Sequence, residues 1–261
     1  MRSITEFKDA AFRMFKPESV KPLLVNDPIF FLYSLDWDIP NGAPFAEEEI
    51  ARMNLNFDLR GCFGRSVKAA VLAQTYFPHK TFYAGEVCND LLRAMLVSGA
   101  TASDWRDETY LNEILQYEAP HSILVCDDKQ FDPTFKYISL NPENLSHPSV
   151  ITYDLWNGLH AAYLVSEALL IENNQESLNF LLQVQSMYPE NILVKENIAG
   201  KYGILGNIDR TLRIIKEAVG VRKNAKMLWL LWNLTEEEAY RNRIINEYDR
   251  EMFNHLNNLF L

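Results

Sequence analysis

No Cys-x-x-Cys pair, no closely spaced pair of histidines and no membrane-length apolar run occurs in this chain of 261 residues. Each absence excludes something. Zinc sites ordinarily show close ligand pairs, so neither a metal nor any other cofactor is expected. The three cysteines, at 62, 88 and 126, cannot all pair. That points to free thiols in a reducing, cytoplasmic setting. The longest apolar stretches, PIFFLYSL and KMLWLLWNL, fall far short of the roughly 20 residues that span a bilayer. The opening MRSITEFKDAAFRMFKPES is interrupted by Glu6, Lys8, Asp9 and Arg13, so it does not read as a signal peptide. Basic charge is also scarce. Lys and Arg number 25 against 35 Asp and Glu, a net charge of −10. Such a chain has no bulk attraction for nucleic acid phosphates or anionic lipid, so neither nucleic acid nor membrane is expected as a partner. The glycines of GKYGILG form no phosphate-binding loop, because GxxxxGK[ST] and a preceding strand are missing. They read as small residues that let helices pack closely.

Hydrophobic residues make up 48% and charged residues 23% of the chain. That composition supports one large core or two modest ones. Residues 1–60 mix short helical signals with loops. AEEEIARMN reads as a short helix, while VNDPIFFLYSLDWDIPNGAP, with three prolines and an Asn-Gly, predicts an irregular or extended segment. CFGRSVKAAVLAQTYF has Val67, Ala70, Val71 and Gln74 at helical spacing and stops before Pro78. KTFYAGEV predicts a strand. SDWRDETYLNEILQY predicts a helix with Ser103 as its N-cap. HSILVCDDKQFDPTF then reads as a hairpin.

From about Thr152 the pattern is helical to the end, and it repeats. A shift of 34 residues lays NNQESLNFLLQV, from Asn173, over NIDRTLRIIKEA, from Asn207. Ser177 then meets Thr211, Leu178 meets Leu212 and Leu181 meets Ile215. A 34-residue period of paired helices is the tetratricopeptide (TPR) signature. KMLWLLWNL predicts a buried helix. A last helix, opened by a Thr235–Glu238 capping box, carries Ile244, Tyr248, Met252, Leu256 and Leu259 on one stripe.

Chemistry concentrates in the first part. Cys62 follows Gly61 at a predicted helix start, where backbone N–H groups and the helix dipole favour the thiolate. A histidine in reach can take the thiol proton and return it to a leaving amine, and a carboxylate can orient that imidazole. His121 and Asp132 stand on the two arms of the hairpin. With the turn centred near Cys126 and Asp127 they lie opposite or nearly opposite. A turn centred on DDKQ pulls them apart along the strands, and a one-residue slip sends them to opposite faces. Each residue also has a plainer reading: a buried thiol, a structural histidine, a turn aspartate.

These residues resemble a family. A helix-start GC, then a strand, then a hairpin beginning with His and ending in DPT is similar to the transglutaminase-like core, a papain-related fold. The resemblance covers roughly residues 55–140, with FDPTF as its most specific piece. It implies Cys62 as nucleophile, His121 as base and Asp132 as orienting acid. Oxyanion donors are less marked, and Asn56 and Trp37 are the candidates. The family often has an aromatic residue two after the histidine, where this chain has Ile123, and a longer hairpin. With the TPR-like helices the chain is similar to bacterial proteins that join the two modules. The expected architecture is therefore α+β, a transglutaminase-like core over residues 1–150 and an all-α TPR-like domain over 151–261. The expected activity is acyl transfer or amide hydrolysis on a peptide or protein. The alternative is an inactive core whose helices bind a protein or peptide.

Overall fold

The segment CFGRSVKAAVLAQTY carries an unbroken run of small and medium apolar residues from Ala69 to Ala73, which lets a helix be buried on nearly every side there. In the computed structural model it forms a helix over Cys62–Tyr76, and Val67, Ala69, Ala70, Val71, Leu72 and Ala73 are all buried. The structure describes residues 1–15, 26–35, 62–87, 121–133, 150–221 and 224–247, with positions 250, 253–254 and 256–257. The segments AEEEIARMN and SDWRDETYLNEILQY, with Ser103, lie outside the described residues, as do Tyr248, Met252 and Leu259.

The fold mixes helix and sheet. In chain order the described elements are α1 (Ile4–Met14), α2 (Pro28–Ser34), α3 (Cys62–Tyr76), β1 (Tyr83–Val87), β2 (His121–Cys126), β3 (Lys129–Phe131), β4 (Val150–Asp154), α4 (Leu155–Leu169), α5 (Asn174–Met187), α6 (Ile192–Ile204), α7 (Ile208–Val221), α8 (Ala225–Thr235) and α9 (Glu238–Glu247). They divide into two compact units. The first holds the described residues of 1–87 and 120–167, and the second those of 168–261.

In the first unit the strands form one antiparallel sheet in the order β3-β2-β1-β4. β2 is buried along its whole length. Gly85 of β1 is required by space, because a Cβ there would stand 2.7 Å from both Ile123 Cγ1 and Val150 Cγ1. On α1, Ser3 and Glu6 make a capping box, and Phe7 enters an aromatic cluster with Phe63, Trp156, His160 and Tyr163. Trp156 donates its Nε1 proton to Gln74 at 2.9 Å, which ties α4 to α3.

Two expectations need correction here. PIFFLYS is a helix, not an extended segment. Asp27 caps it through the amides of Ile29 and Phe30, and Pro28 sits at the first position, where its missing N–H costs nothing. The end of VNDPIFFLYSLDWDIPNGAP, from Asp36 on, lies outside the described residues. Helical structure begins at Leu155 and not at Thr152, because residues 150–154 pair with β1 as β4.

In the second unit, asparagines open the helices. Asn173, Asn191 and Asn224 cap α5, α6 and α8 with their side chains. Helices α5 and α7 start 34 residues apart and are both 14 residues long. Matching hydroxyls on them reach back to the preceding helix. Ser177 donates to the Ala168 carbonyl at 2.7 Å, and Thr211 to that of Ala199 at 3.2 Å. Helix α8 is the buried element expected, with Met227, Leu228, Trp229 and Leu231 inside. Ile244 of α9 and Leu256 are buried as well. The capping box at Thr235 is not formed. Thr235 ends α8, Glu236 takes a left-handed φ of 58°, and the Thr235 hydroxyl accepts from Glu237 N. Of the glycines of GKYGILG, Gly203 faces Thr211 of α7, where a Cβ would stand 3.6 Å from the hydroxyl, and the other two do not pack against a neighbour. A Cβ at Gly200 or Gly206 would meet nothing within 4 Å, and Gly206 supplies the turn after α6 with φ +75°.

Candidate active site

The hairpin fixes the site. Its register pairs Cys126 with Lys129 and Leu124 with Phe131, leaving Asp127 and Asp128 as a two-residue loop. Asp127 takes φ 56° there, and the primed turns of tight hairpins need a positive φ at that position. Aspartate tolerates this better than most side chains. One step further along the same register, Asp132 lies beside Ile123 and diagonally from His121. The turn centre therefore falls between the two positions weighed from the sequence. The offset is two residues along the strand, and side chains alternate with a period of two. His121 and Asp132 thus stay on one face. Diagonal neighbours are roughly 7–8 Å apart, a gap that a histidine ring and a short carboxylate can close.

They close it. His121 Nε2 and Asp132 Oδ2 lie 2.6 Å apart. Both side chains are buried, at 3% and 1% exposure. This bond fixes the ring's orientation and engages Nε2.

Helix α3 is held against the histidine strand from below. The Ser66 hydroxyl donates to the Ser122 carbonyl at 2.5 Å, in a fully buried contact beside His121. Cys62 is the first residue of that helix, one turn ahead of Ser66. Its backbone opens the helix, while its side chain lies outside the described part of the structure. The oxyanion candidates Asn56 and Trp37 lie outside the described residues, as does Cys88.

Three residues near the pair were not singled out in the sequence. Ser66 is one. Tyr33, in the last turn of α2, stands edge-on to Phe131, with ring centroids 4.8 Å apart and planes at 81°. Burial, with a smaller push from the Asp132 charge, raises its phenol to about 12, and a hydrogen bond from the Asp132 amide works the other way. Tyr33 is therefore neutral at any physiological pH. Asp27 is the third. It pairs with Lys129 of β3, and that hydrogen bond holds its carboxyl below the usual range. The Asp-Pro start of PIFFLYS was the signal that could have placed these residues on a helix.

At the turn end of the hairpin lies a cavity of about 220 Å³, lined by Asn26, Asp27, Pro28, Ile29, Lys80, Cys126, Asp127 and Lys129. Its charges are matched, since Lys80 pairs with Asp127 at 3.1 Å and Lys129 with Asp27. The Cys126 thiol is buried, and that burial raises its pKa. It is a poor nucleophile there. Among the described residues, no group of three or more His, Cys, Asp or Glu side chains could hold a metal ion. Among the same residues no helix is long and apolar enough to cross a membrane.

Comparison of the chain with protein-family models, with curated proteins and with solved structures finds no match.

Proposed function

We propose that the first unit is a cysteine-dependent acyltransferase or amidase of transglutaminase-like design, acting on a peptide or protein. The buried His121–Asp132 bond of 2.6 Å carries this reading. A carboxylate bonded to one imidazole nitrogen sets the tautomer and stabilises the imidazolium that forms during catalysis. Helix α3 supports it, since it begins at Cys62 and is pinned to the histidine strand through Ser66.

The chemistry follows from these parts. His121 Nδ1 takes the Cys62 thiol proton, and the thiolate attacks the acyl carbon of an amide. The tetrahedral adduct collapses with loss of the amine, which takes the proton back from the imidazolium. A thioester remains on Cys62. Water or a second amine attacks it, His121 takes the incoming proton, and the acid or new amide leaves as the Cys62 thiol is restored. The backbone N–H of Cys62, at the open end of α3, is a donor for the oxyanion. The second unit would then be a TPR-like module, supported by the 34-residue offset of α5 and α7, that presents or recruits the protein substrate.

One observation favours a second reading. At 3% and 1% exposure, the His121–Asp132 pair is as deeply buried as a purely structural brace. In that case the first unit is an inactive scaffold, and the helical repeats bind a protein or peptide.

The pH dependence of iodoacetamide alkylation at Cys62, read by peptide mass spectrometry, separates the two. For the enzyme, Cys62 reacts faster than Cys126 near neutral pH and loses that advantage in His121→Ala. Reactivity of Cys62 that is indifferent to His121 refutes the catalytic reading.

A further inference from the structure

Asp132 lies just past the end of the ladder between β2 and β3. It lies one residue beyond the three-residue strand β3. Pro133 follows it, and that ring restricts the backbone of the residue before it without donating a hydrogen bond. Its carboxylate must nevertheless meet a ring on the diagonal position of the neighbouring strand.

Helix α2 grips this arm of the hairpin at two points. At the first end of β3, the Asp27 carboxylate that caps the helix also pairs with Lys129. At the far end, the Tyr33 ring packs edge-on against Phe131, and the amide of Asp132 donates to the Tyr33 hydroxyl. One short helix thus spans the whole of β3 and ends on the backbone of the residue that orients His121.

We propose that Tyr33 is a positioning residue for the His121–Asp132 pair, anchoring the Asp132 backbone so that its carboxylate meets His121 Nε2. This rests on the catalytic reading of that pair. In this role Tyr33 acts through Asp132. Its ring fixes the strand laterally, and its hydroxyl fixes the residue where the ladder stops. The hydroxyl stays protonated through the neutral range, so the anchor does not itself titrate.

Tyr33→Phe tests it, because the ring and its edge contact remain while the hydroxyl goes. Two readouts are taken on the full chain. The first is the imidazole N–H proton of the pair, in protein carrying nitrogen-15 histidine and assigned by its loss in His121→Ala. The second is the pH profile of Cys62 alkylation. The expected result is a broadened or lost N–H resonance and a neutral-pH alkylation rate about fivefold lower, the factor for one lost hydrogen bond. A sharp resonance and an unchanged profile overturn the proposal. If alkylation in the unaltered protein proves indifferent to His121, the catalytic reading fails. The resonance alone then decides whether Tyr33 anchors the pair. Exchange of the Asp132 amide in the unaltered protein needs no variant at all. Slow exchange is expected, and exchange at the rate of an open loop overturns the anchor.

Discussion

Replacing Ser66 by alanine probes the joint between the cysteine helix and the histidine strand. The hydroxyl donates to the Ser122 carbonyl at 2.5 Å, with both residues at 2% exposure or less. Water has no access to replace the donor. Losing it costs the bond and leaves a buried carbonyl short of a donor, about 2 kcal/mol. Alanine returns about 0.5 kcal/mol through better helix propensity. The net loss is about 1.5 kcal/mol, or about 3–6 °C in melting temperature for a chain of this size. Thr75→Ala is the comparison. Its hydroxyl also donates to a carbonyl, that of Val71 at 2.8 Å, but within its own helix and only part-buried. That substitution should stay within about 0.5 kcal/mol. Calorimetry measures both, and hydrogen exchange at Ile123 and Leu124 shows whether the loss is local to β2. Cys62 alkylation should slow in Ser66→Ala alone, because that bond joins α3 to the strand of His121, whereas the Thr75 bond stays within its own helix. If Ser66→Ala costs no more than Thr75→Ala, the hydroxyl is not what holds the helix to the strand, and the proposed reach of His121 to Cys62 loses its support.

Other perturbations test neighbouring parts of the first unit. Gly85→Ala puts a methyl group 2.7 Å from Ile123 Cγ1 and Val150 Cγ1, and overpacking of this kind costs about 1–3 kcal/mol. Urea unfolding with an undiminished midpoint would show that the sheet gives way freely there. His160 is buried among aromatic rings, and burial lowers its pKa below the ordinary 6.5, while its Nε2 meets the Arg2 carbonyl at 3.1 Å. The unfolded chain then binds the proton more readily than the folded one. Stability is full above about pH 6.5 and falls as the pH drops below it. In His160→Phe the melting temperature should fall less steeply between pH 6.5 and 5, and parallel slopes in the two proteins would refute the assignment.

Much of the site was readable along the chain. A His heading an apolar run, a polar turn and an Asp before proline predict a hairpin with both groups on it. The register was not legible, because a one-residue slip sends the two side chains to opposite faces. The pairing of Cys126 with Lys129 settles it and leaves both groups on one face, two positions apart. The distance was equally open, because diagonal neighbours touch only if the side chains lean toward each other. Local signals conflict where two rules meet on the same residues. Prolines in VNDPIFFLYSL read as breakers, yet Asp27 and Pro28 are the ordinary cap and first residue of a helix. Thr235 and Glu238 have capping-box spacing, but Thr235 was already committed to the end of α8.

Periodicity by itself determined the buried helix of residues 62–76, the strand and hairpin, and the 34-residue offset of the helical repeats, because burial follows from which positions recur on one face. The tertiary structure alone decided the partnerships. Ser66 with the Ser122 carbonyl, Tyr33 with Asp132 and Gly85 beneath Ile123 join residues from 38 to 99 positions apart. No local pattern records such contacts, since they arise only when separate elements pack and each buried polar group must find its partner in whatever element arrives beside it.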